Sequence, residues 1–578
     1  MSVFFLKSEM PASYQKRIDK AAYDIAVCLR GSAKVNSFNI VIAAYLLYKT
    51  SKYCKFAEVK YQDILAGAIG IRANILNCAC EMLNDTSWEW LKKLLAEYSA
   101  DELAQLVISY DLSVEEKGKY MYTPISVNRL AQSVLNIAQN DNVADICCGC
   151  GNFLNMAVLA KPNARYYGYE INEKNKLIAD IRAELLGADM SINLANVFSL
   201  GEDKTSPRFN KIFSNYPFGI KYRNLGNGEK IFVGLSQKIP GLSKGISSDW
   251  LFNTLIYNLL ADNGRAIGIM TNGSTCNSID EPIRQYFVEQ GMIEAVIALP
   301  PKMFSYTNIA TTMIVLSKGN KAVRMVDATN ICQQGRRFNE FSEDDIQRIC
   351  SDLQADSEIS RLVDVDKLRT NNYALNLSRY LEQNYTLENA IVFGDVIKSI
   401  SRGAPCTASQ LDEMAAKGET NMRYLMLANI NDGVIDDNLP YLANIEPKFE
   451  KYCLKNNSLI ISKNGLPYKI VVASVKDGQK ILASGNLYII ELDTTRVDPY
   501  YLKAFFDSEH GEAVLKSISV GAVVLNIGVE SLKKIMVPIL PLEEQQKIAQ
   551  EYKAKLAEIA DIKSRLAKEL DSLHQIFK

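Results

Sequence analysis

The stretch ADICCGCGNFL, residues 144–154, governs how the rest of the chain is read. It sets three cysteines and two glycines into positions 147–151, directly after a short apolar run. Two chemistries use such a cluster: thiolates that cage a metal, or glycines that let a backbone loop close around a nucleotide. Cys147 and Cys150 have C-x-x-C spacing, but a structural zinc site needs four ligands. The other close pair, Cys78 and Cys80, has one residue between and sits in a helical pattern. No metal is therefore expected. The loop reading uses more of the residues: positions 143–146 suit a strand, Gly149 and Gly151 permit a tight turn with close backbone approach, and NFLNMAVLA opens a helix. Strand, loop and helix in that order hold a nucleotide at a helix N-terminus. Roughly 20 residues past the loop a second strand, YYGYE, ends in Glu170, where a carboxylate can take a pair of ribose hydroxyls. An ordinary tight turn between strand and helix is the alternative reading at this stage.

Outward from the loop, short apolar runs alternate with amphipathic stretches as far as residue 316: NVADIC, ARYYGYE, NKIFSN, GRAIGIMT, MIEAVIAL and TTMIVLS. That alternation predicts a parallel sheet wrapped by helices. Before it, from about residue 13 to residue 112, apolar residues recur at three- and four-residue steps (FNIVIAAYLLYKT, WEWLKKLLAEY), which predicts an all-helical N-terminal domain. After it, the charged stretch 339–376 reads as a helical closing segment and linker. Beyond Leu387 the texture turns to strands and turns punctuated by Gly465 and Gly485, a separate C-terminal domain. The last stretch carries Ile548, Tyr552, Leu556, Ile559, Ile562, Leu566, Leu570 and Leu573 at three-and-four spacing between charges. Such a helix needs a partner, either its own chain or another.

Composition narrows the function classes. A chain of 578 residues that is 48% hydrophobic exceeds the roughly 250–300 residues of a single core, so several domains are expected. No apolar run reaches the ~18 residues of a membrane span, and the opening residues lack the long apolar core of a secretory leader. A cytoplasmic protein is expected, with the 12 cysteines as small buried thiols and not a disulfide framework. The 2 histidines, His510 and His574, lie far into the C-terminal part and disfavour a histidine base or a His-rich metal site. The net charge of -1 does not advertise a nucleic-acid binder, yet a local basic face is what binds phosphates, and a whole-chain sum hides it.

A second motif stands some sixty residues past the loop. In FNKIFSNYPFG an apolar strand runs directly into Asn215, Tyr216, Pro217 and Phe218. A carboxamide at a strand end can accept a hydrogen bond from an amino group, a backbone turn can offer a carbonyl to the same group, and an aromatic ring can stack on a base. An enzyme acting on an exocyclic amino group takes the base out of the stack and needs that set. A strand followed by a turn-forming proline is the plainer alternative.

Here the sequence resembles a family. The stretch from Asp145 to Leu154 resembles the D-P-x-C-G-S-G-x-F-L loop of S-adenosylmethionine-dependent N6-adenine DNA methyltransferases, specifically the modification subunit of type I restriction-modification systems. Cys148 matches the family's cysteine and Cys150 replaces its serine. The resemblance implies a Rossmann-like domain binding S-adenosylmethionine through Asp145, Cys147, Gly149, Gly151, Asn152 and Phe153, together with Glu170. GKYMYTPISVNRLAQSV resembles the family's Y-T-P segment, which puts Tyr122, Thr123 and Pro124 in the cofactor pocket, and NVFSL resembles a strand-end motif that puts Asn196 and Phe198 against the cofactor adenine. The tetrapeptide resembles N-P-P-F or N-P-P-Y. Asn215 and the Tyr216 carbonyl then hold the adenine amino group and Phe218 stacks on the ring. Tyr216 stands where proline is usual; the carbonyl survives that change but the fixed φ does not, which puts turnover in question. Transfer from a sulfonium to an amino nitrogen is a direct displacement that rests on positioning and desolvation, so the scarcity of histidine fits.

Further blocks (SSDWLFNTLIYNLLADNGRAIGIMTNG, ALPPKMF, TTMIVL, NNYALNLSRYL) follow in the family's order. The C-terminal part resembles a target-recognition domain of the type I specificity subunit with its conserved-region helix, in FGDVIKSISRG, YLMLANINDGVID, SLIISKNG, VDPYYLKAFFDS and LKKIMVPILPLEEQQKIA. One such unit is present where a full specificity subunit has two. The expected organisation is a helical domain at 1–115, a methyltransferase domain at 116–385, an α+β target-recognition domain at 386–540 and a dimerisation or spacer helix at 541–578. Arg402, Lys463, Asn464, Lys469, Lys533 and Lys534 are cationic or amide groups at loops or strand ends, suited to double-stranded DNA, with solvated surface as the alternative for each. The terminal helix would pair two copies and set the spacing of two half-sites.

The reading is a sequence-specific DNA adenine-N6 methyltransferase. Its rivals are methylation of RNA or of a protein amide, and a catalytically impaired DNA-binding or assembly subunit that keeps the fold. Glu58 and Lys60 form a nuclease-like E-x-K pair but lack an upstream strand aspartate, and no G-x-x-x-x-G-K-[ST] phosphate loop occurs, so cleavage or translocation would come from a separate restriction subunit.

Overall fold

The three-and-four spacing of the N-terminal apolar residues produces, among the described residues, the helices α1 (Ala12–Leu29), α2 (Ser37–Tyr53), α3 (Tyr61–Leu65), α4 (Ala73–Met82), α5 (Asp85–Lys93) and α6 (Ala100–Ser109). Asn84 and Ser99 close the starts of α5 and α6 with capping boxes. Every residue from Ile40 to Leu47 is buried, so α2 is apolar around its circumference and forms the centre of this layer. The computed structural model describes residues 4–574 apart from 6–8, 31–34, 54–58, 66–70, 111, 113–121, 162, 201–206, 221–227, 243–244, 305–309, 377–378, 381–388, 466 and 521–525. Glu58 and the first residues of the Y-T-P segment lie outside the described residues.

A nine-stranded sheet follows: β1 (Asn142–Asp145), β2 (Arg165–Glu170), β3 (Met190–Leu194), β4 (Phe209–Ser214), β5 (Leu260–Thr271), β6 (Ile293–Ala298), β7 (Thr311–Leu316), β8 (Ala322–Asp327) and β9 (Ser360–Asp364), in the order β3-β2-β1-β4-β5-β7-β6-β8-β9. The helices α7 (Ile125–Leu135), α8 (Asn152–Ala160), α9 (Glu173–Leu186), α10 (Gly228–Lys238), α11 (Ser248–Leu259), α12 (Glu281–Glu289), α13 (Glu343–Asp352) and α14 (Val365–Thr370) accompany it. Strands β1 to β5 pair in parallel. The expected parallel sheet needs correction beyond them, because the sheet is mixed: β7 runs antiparallel to both β5 and β6, and β9 antiparallel to β8. The link between β6 and β7, residues 299–310, contains no helix among its described residues, and a parallel return needs such a crossover.

The strand order has a functional consequence. From β1 the chain moves outward through β2 and β3, then returns to lay β4 on the other flank of β1, with Asp145 in register with Phe213. The loops leaving β1 and β4 therefore emerge side by side at the carboxyl ends of neighbouring strands, the switch point at which open α/β sheets bind ligands. The N-terminal helices pack on α9, whose Leu177, Ile178 and Ile181 join their core. Tyr45 donates to Glu184 at 2.7 Å and Lys49 pairs with it at 3.2 Å along the same seam.

The chain divides into two compact units, Met1–Tyr380 and Leu381–Lys578. The second is built on a four-stranded antiparallel sheet in the order Ile397–Arg402, Leu487–Leu492, Leu459–Ser462, Ile470–Val472. Helix Pro499–Phe506 covers this core with Tyr501, Leu502 and Phe506. The chain then enters a 33-residue helix, Leu542–His574, about 50 Å long. No described helix is long and apolar enough to cross a membrane.

Candidate active site

At the end of β1, Asp145 is almost fully buried and its Oδ1 accepts from the Cys147 amide at 3.2 Å. Burial pushes its carboxyl up to about 8 from an ordinary 3.8; Glu170 nearby adds to the rise and the Cys147 amide opposes it. The loop then turns through Gly149 (φ 53°) and Gly151 (φ 81°), a left-handed conformation that favours glycine. At Gly151 there is a second reason, since a Cβ would lie 3.3 Å from that of Ala179 on α9. The Gly149 amide donates to Glu170 Oε2 at 2.9 Å, while Glu170 Oε1 accepts from the amides of Ile171 (3.0 Å) and Asn172 (2.7 Å). Glu170 thus clasps the loop to the end of β2. Further amides tie the loop to both flanks, Cys148 to the Tyr169 carbonyl (3.0 Å) and Ile146 to that of Phe213 (3.3 Å).

The thiols behave as fillers. Cys148 and Cys150 are buried, and burial raises the Cys148 thiol well above its ordinary value and the Cys150 thiol to about 12, so both stay neutral in the packed loop. Among the described residues no group of three or more His, Cys, Asp or Glu side chains could hold a metal ion.

Beside this loop, β4 delivers the tetrapeptide. Asn215 is buried and its Nδ2 donates to Thr123 Oγ1 at 2.9 Å, which fixes the carboxamide plane and makes Oδ1 its acceptor. Tyr216 is fully buried, its ring stacked on Phe252 of α11 at 4.6 Å and 4°. Pro217 and Phe218 are half-buried, and Phe218 meets Phe304 edge-on at 6.5 Å. Behind the turn, Asp249 accepts from Thr271 Oγ1 (2.6 Å), the Thr271 amide (2.9 Å) and Ser274 Oγ (2.8 Å), anchoring the end of β5 to α11.

The structure sorts the expected cofactor residues. Asp145, Cys147, Gly149, Gly151, Asn152 and Glu170 converge on the end of β1. Asn196 follows β3, where its Oδ1 accepts from the Phe198 amide at 3.1 Å. Phe153 faces the other way, buried and stacked on Phe213 at 4.3 Å, so only its backbone is open to a ligand role. Phe198 is likewise core, packed on Phe252 at 4.8 Å. Tyr122 and Pro124 are half-buried beside Thr123, whose hydroxyl serves Asn215. Sequence reasoning missed Arg182, which is fully buried on α9 and donates to Cys150 O (3.0 Å), Asn152 Oδ1 (2.8 Å), Val107 O (2.9 Å) and Tyr110 O (2.8 Å). It joins the glycine loop to the end of α6. The one available signal was a charged residue among the apolar positions of IADIRAELL.

The candidate DNA residues of the second unit fall into two groups. Arg402, Lys463, Asn464 and Lys469 share one end of the four-stranded sheet, because Arg402 pairs with Tyr488, Ser462 with Leu487 and Ile461 with Ile470. Lys533 packs against Gly394, before the opposite end of strand Ile397–Arg402, and Lys534 follows it in the chain. Lys469 is committed within its own unit: its ammonium donates to Leu427 O (3.1 Å) and Ile430 O (2.6 Å).

Sheet order and paired loops define a Rossmann-like methyltransferase domain, followed by a second, separately folded unit. Comparison with known proteins agrees. Residues 106–389 match the N-6 DNA methylase family and residues 394–571 match the type I restriction modification DNA specificity domain. Residues 106–389 thus form an N-6 DNA methylase domain, to which a type I specificity domain is fused. It is 24% identical over 349 residues to the type I restriction enzyme MpnII methylase subunit of Mycoplasma pneumoniae, covering 56% of this chain and 64% of that one. It is 24% identical over 304 residues to the MjaVIII methylase subunit of Methanocaldococcus jannaschii, covering 47% and 51%. The chain thus spans between half and two thirds of the length of these relatives. The crystal structure of a type I restriction-modification methyltransferase subunit from Streptococcus thermophilus superposes with a TM-score of 0.52 at 18% identity, covering 64% of this chain and 99% of that one.

Proposed function

We propose that this chain transfers a methyl group from S-adenosylmethionine to N6 of an adenine flipped out of double-stranded DNA, at a sequence read by its own specificity domain. The observation that carries the reading is the pairing of the two loops on adjacent parallel strands, β1 and β4, with the Asn215 carboxamide fixed by Thr123. The residues at β1 fit the cofactor: a carboxylate at the end of β2, a buried carboxyl at Asp145 and a positive-φ loop whose Gly149 has open space where a side chain would project. Glu170 would hold the ribose hydroxyls, the loop from Asp145 to Asn152 the remainder, and Asn196 the adenine edge. S-adenosylmethionine, when bound, supplies an electrophilic methyl on a sulfonium. Asn215 Oδ1 and the Tyr216 carbonyl accept the two hydrogens of the target amino group, which localises the nitrogen lone pair for displacement, and Phe218 holds the base by stacking.

The second unit supplies the address. Arg402, Lys463 and Asn464 form the DNA-facing group, while the Lys469 ammonium holds a turn. Two copies pair through the helix Leu542–His574, whose Ile559, Ile562, Leu566 and Leu570 are exposed along one stripe. A separate restriction subunit supplies any cleavage.

The test is transfer of labelled methyl to unmethylated bacterial DNA by the purified protein beside Asn215→Ala, followed by nucleoside analysis. N6-methyladenine with the wild type and at least about 100-fold less with the variant supports the reading. Cofactor binding without transfer by either protein would favour the catalytically impaired subunit.

A further inference from the structure

The usual proline of this motif fixes its own φ through its ring, and Tyr216 lacks that constraint. The structure holds Tyr216 by other means. Its side chain is fully buried and its ring lies parallel to that of Phe252, which in turn packs on Phe198. A second neighbour of the ring is Gly268 of β5, which pairs with Ser214 of β4 and with Ile314 of β7 in the middle of the sheet. Gly268 is not in a left-handed conformation, so its backbone does not ask for glycine. Space does: a Cβ there would stand 3.2 Å from Tyr216 Cε1 and 2.4 Å from Asn253 Oδ1. The Tyr216 hydroxyl is buried and interacts with the Asn253 carboxamide of α11, so the polar end of the side chain faces the same helix on which the ring is stacked.

We propose that Phe252 and Gly268 are positioning residues of the catalytic turn, forming a closed slot that grips the Tyr216 ring and so replaces the constraint a proline exerts on the carbonyl that receives the target amino group. The inference rests on the methyltransferase reading for its kinetic consequence. Consecutive residues are then each held by a separate contact, Asn215 by Thr123 and Tyr216 by α11 and β5. The motif's departure from N-P-P-F becomes a different way of holding the same backbone.

Four variants test this in methyl transfer to DNA, with kcat and the KM for S-adenosylmethionine measured separately: Phe252→Leu, Gly268→Ala, Tyr216→Phe and Tyr216→Pro. Loosening the slot in Phe252→Leu, or crowding the ring out of it in Gly268→Ala, should lower kcat about ten-fold or more while the cofactor KM stays within about two-fold. Tyr216→Phe, which keeps the ring, should turn over at least about ten-fold faster than Tyr216→Pro, which empties the slot. Tyr216→Pro matching or exceeding Tyr216→Phe overturns the proposal, as does a kcat unaffected by both slot variants. Amide hydrogen exchange over residues 215–219 in the same proteins needs no turnover. Exchange should rise in Phe252→Leu and Gly268→Ala with that of β1 unchanged, and unchanged exchange in the turn overturns the proposal. A wild type that transfers no methyl but shows this exchange pattern would sink the functional reading and leave the positioning role standing.

Discussion

Asp145 shows how a single buried carboxyl writes a pH dependence into the fold. Its carboxyl is held protonated up to about 8 against an ordinary 3.8, so the folded chain binds this proton more tightly than the unfolded one. The group's favourable contribution is complete below about pH 4 and is lost as pH rises toward 8. Asp145→Asn removes that slope: its melting temperature should gain on the wild type as pH is raised from about 4 to about 8, as read by thermal denaturation across a buffer series. Thr123 separates two roles by the same logic. If it acts through Asn215, Thr123→Val strips an acceptor from a buried amide at a cost of about 1–3 kcal/mol and lowers kcat while sparing the cofactor KM. A rise in the cofactor KM alone would return Thr123 to the cofactor pocket. The position of Asn215 was legible from its place at the end of an apolar strand. Its partner was not, because Thr123 lies 92 residues earlier and the contact exists only once the sheet has formed.

At the scale of elements, the strands that sequence made visible are those with dense apolar runs, β1, β2, β4, β5, β6 and β7. Strand β3 escaped because it sits at the sheet edge with Ile192 as its one buried residue. Strand β9 escaped because it lies on the opposite edge inside a charged stretch that reads as helical, where its Leu362 is exposed. The direction of β7 was hidden for another reason: an apolar run carries no arrow, and what precedes it decides. The inward turn of Phe153 was equally illegible, since a loop motif names a residue without saying which face its ring takes. The root of the terminal helix offers a test at this scale. Lys503 is fully buried, donates to the Tyr552 hydroxyl at 3.0 Å and pairs with Asp507, which Tyr552 also contacts. Asp507→Asn leaves the ammonium without its countercharge and should cost about 3 kcal/mol, since Asp507 is itself partly exposed. Denaturant unfolding of the full chain reads that loss.

For the whole molecule, the exposed stripe on the terminal helix predicts assembly. Replacing Ile559 and Leu566 together by glutamate should halve the mass measured by sedimentation equilibrium, from two chains to one, while methyl transfer to short DNA carrying a single half-site persists. The division after Tyr380 reaches further. A polypeptide whose chemistry and whose address rest on separate hydrophobic cores can exchange one without refolding the other. On the proposed function, recombination between the two units would hand a host a new pattern of marked adenines in one genetic event, with the reaction itself inherited intact.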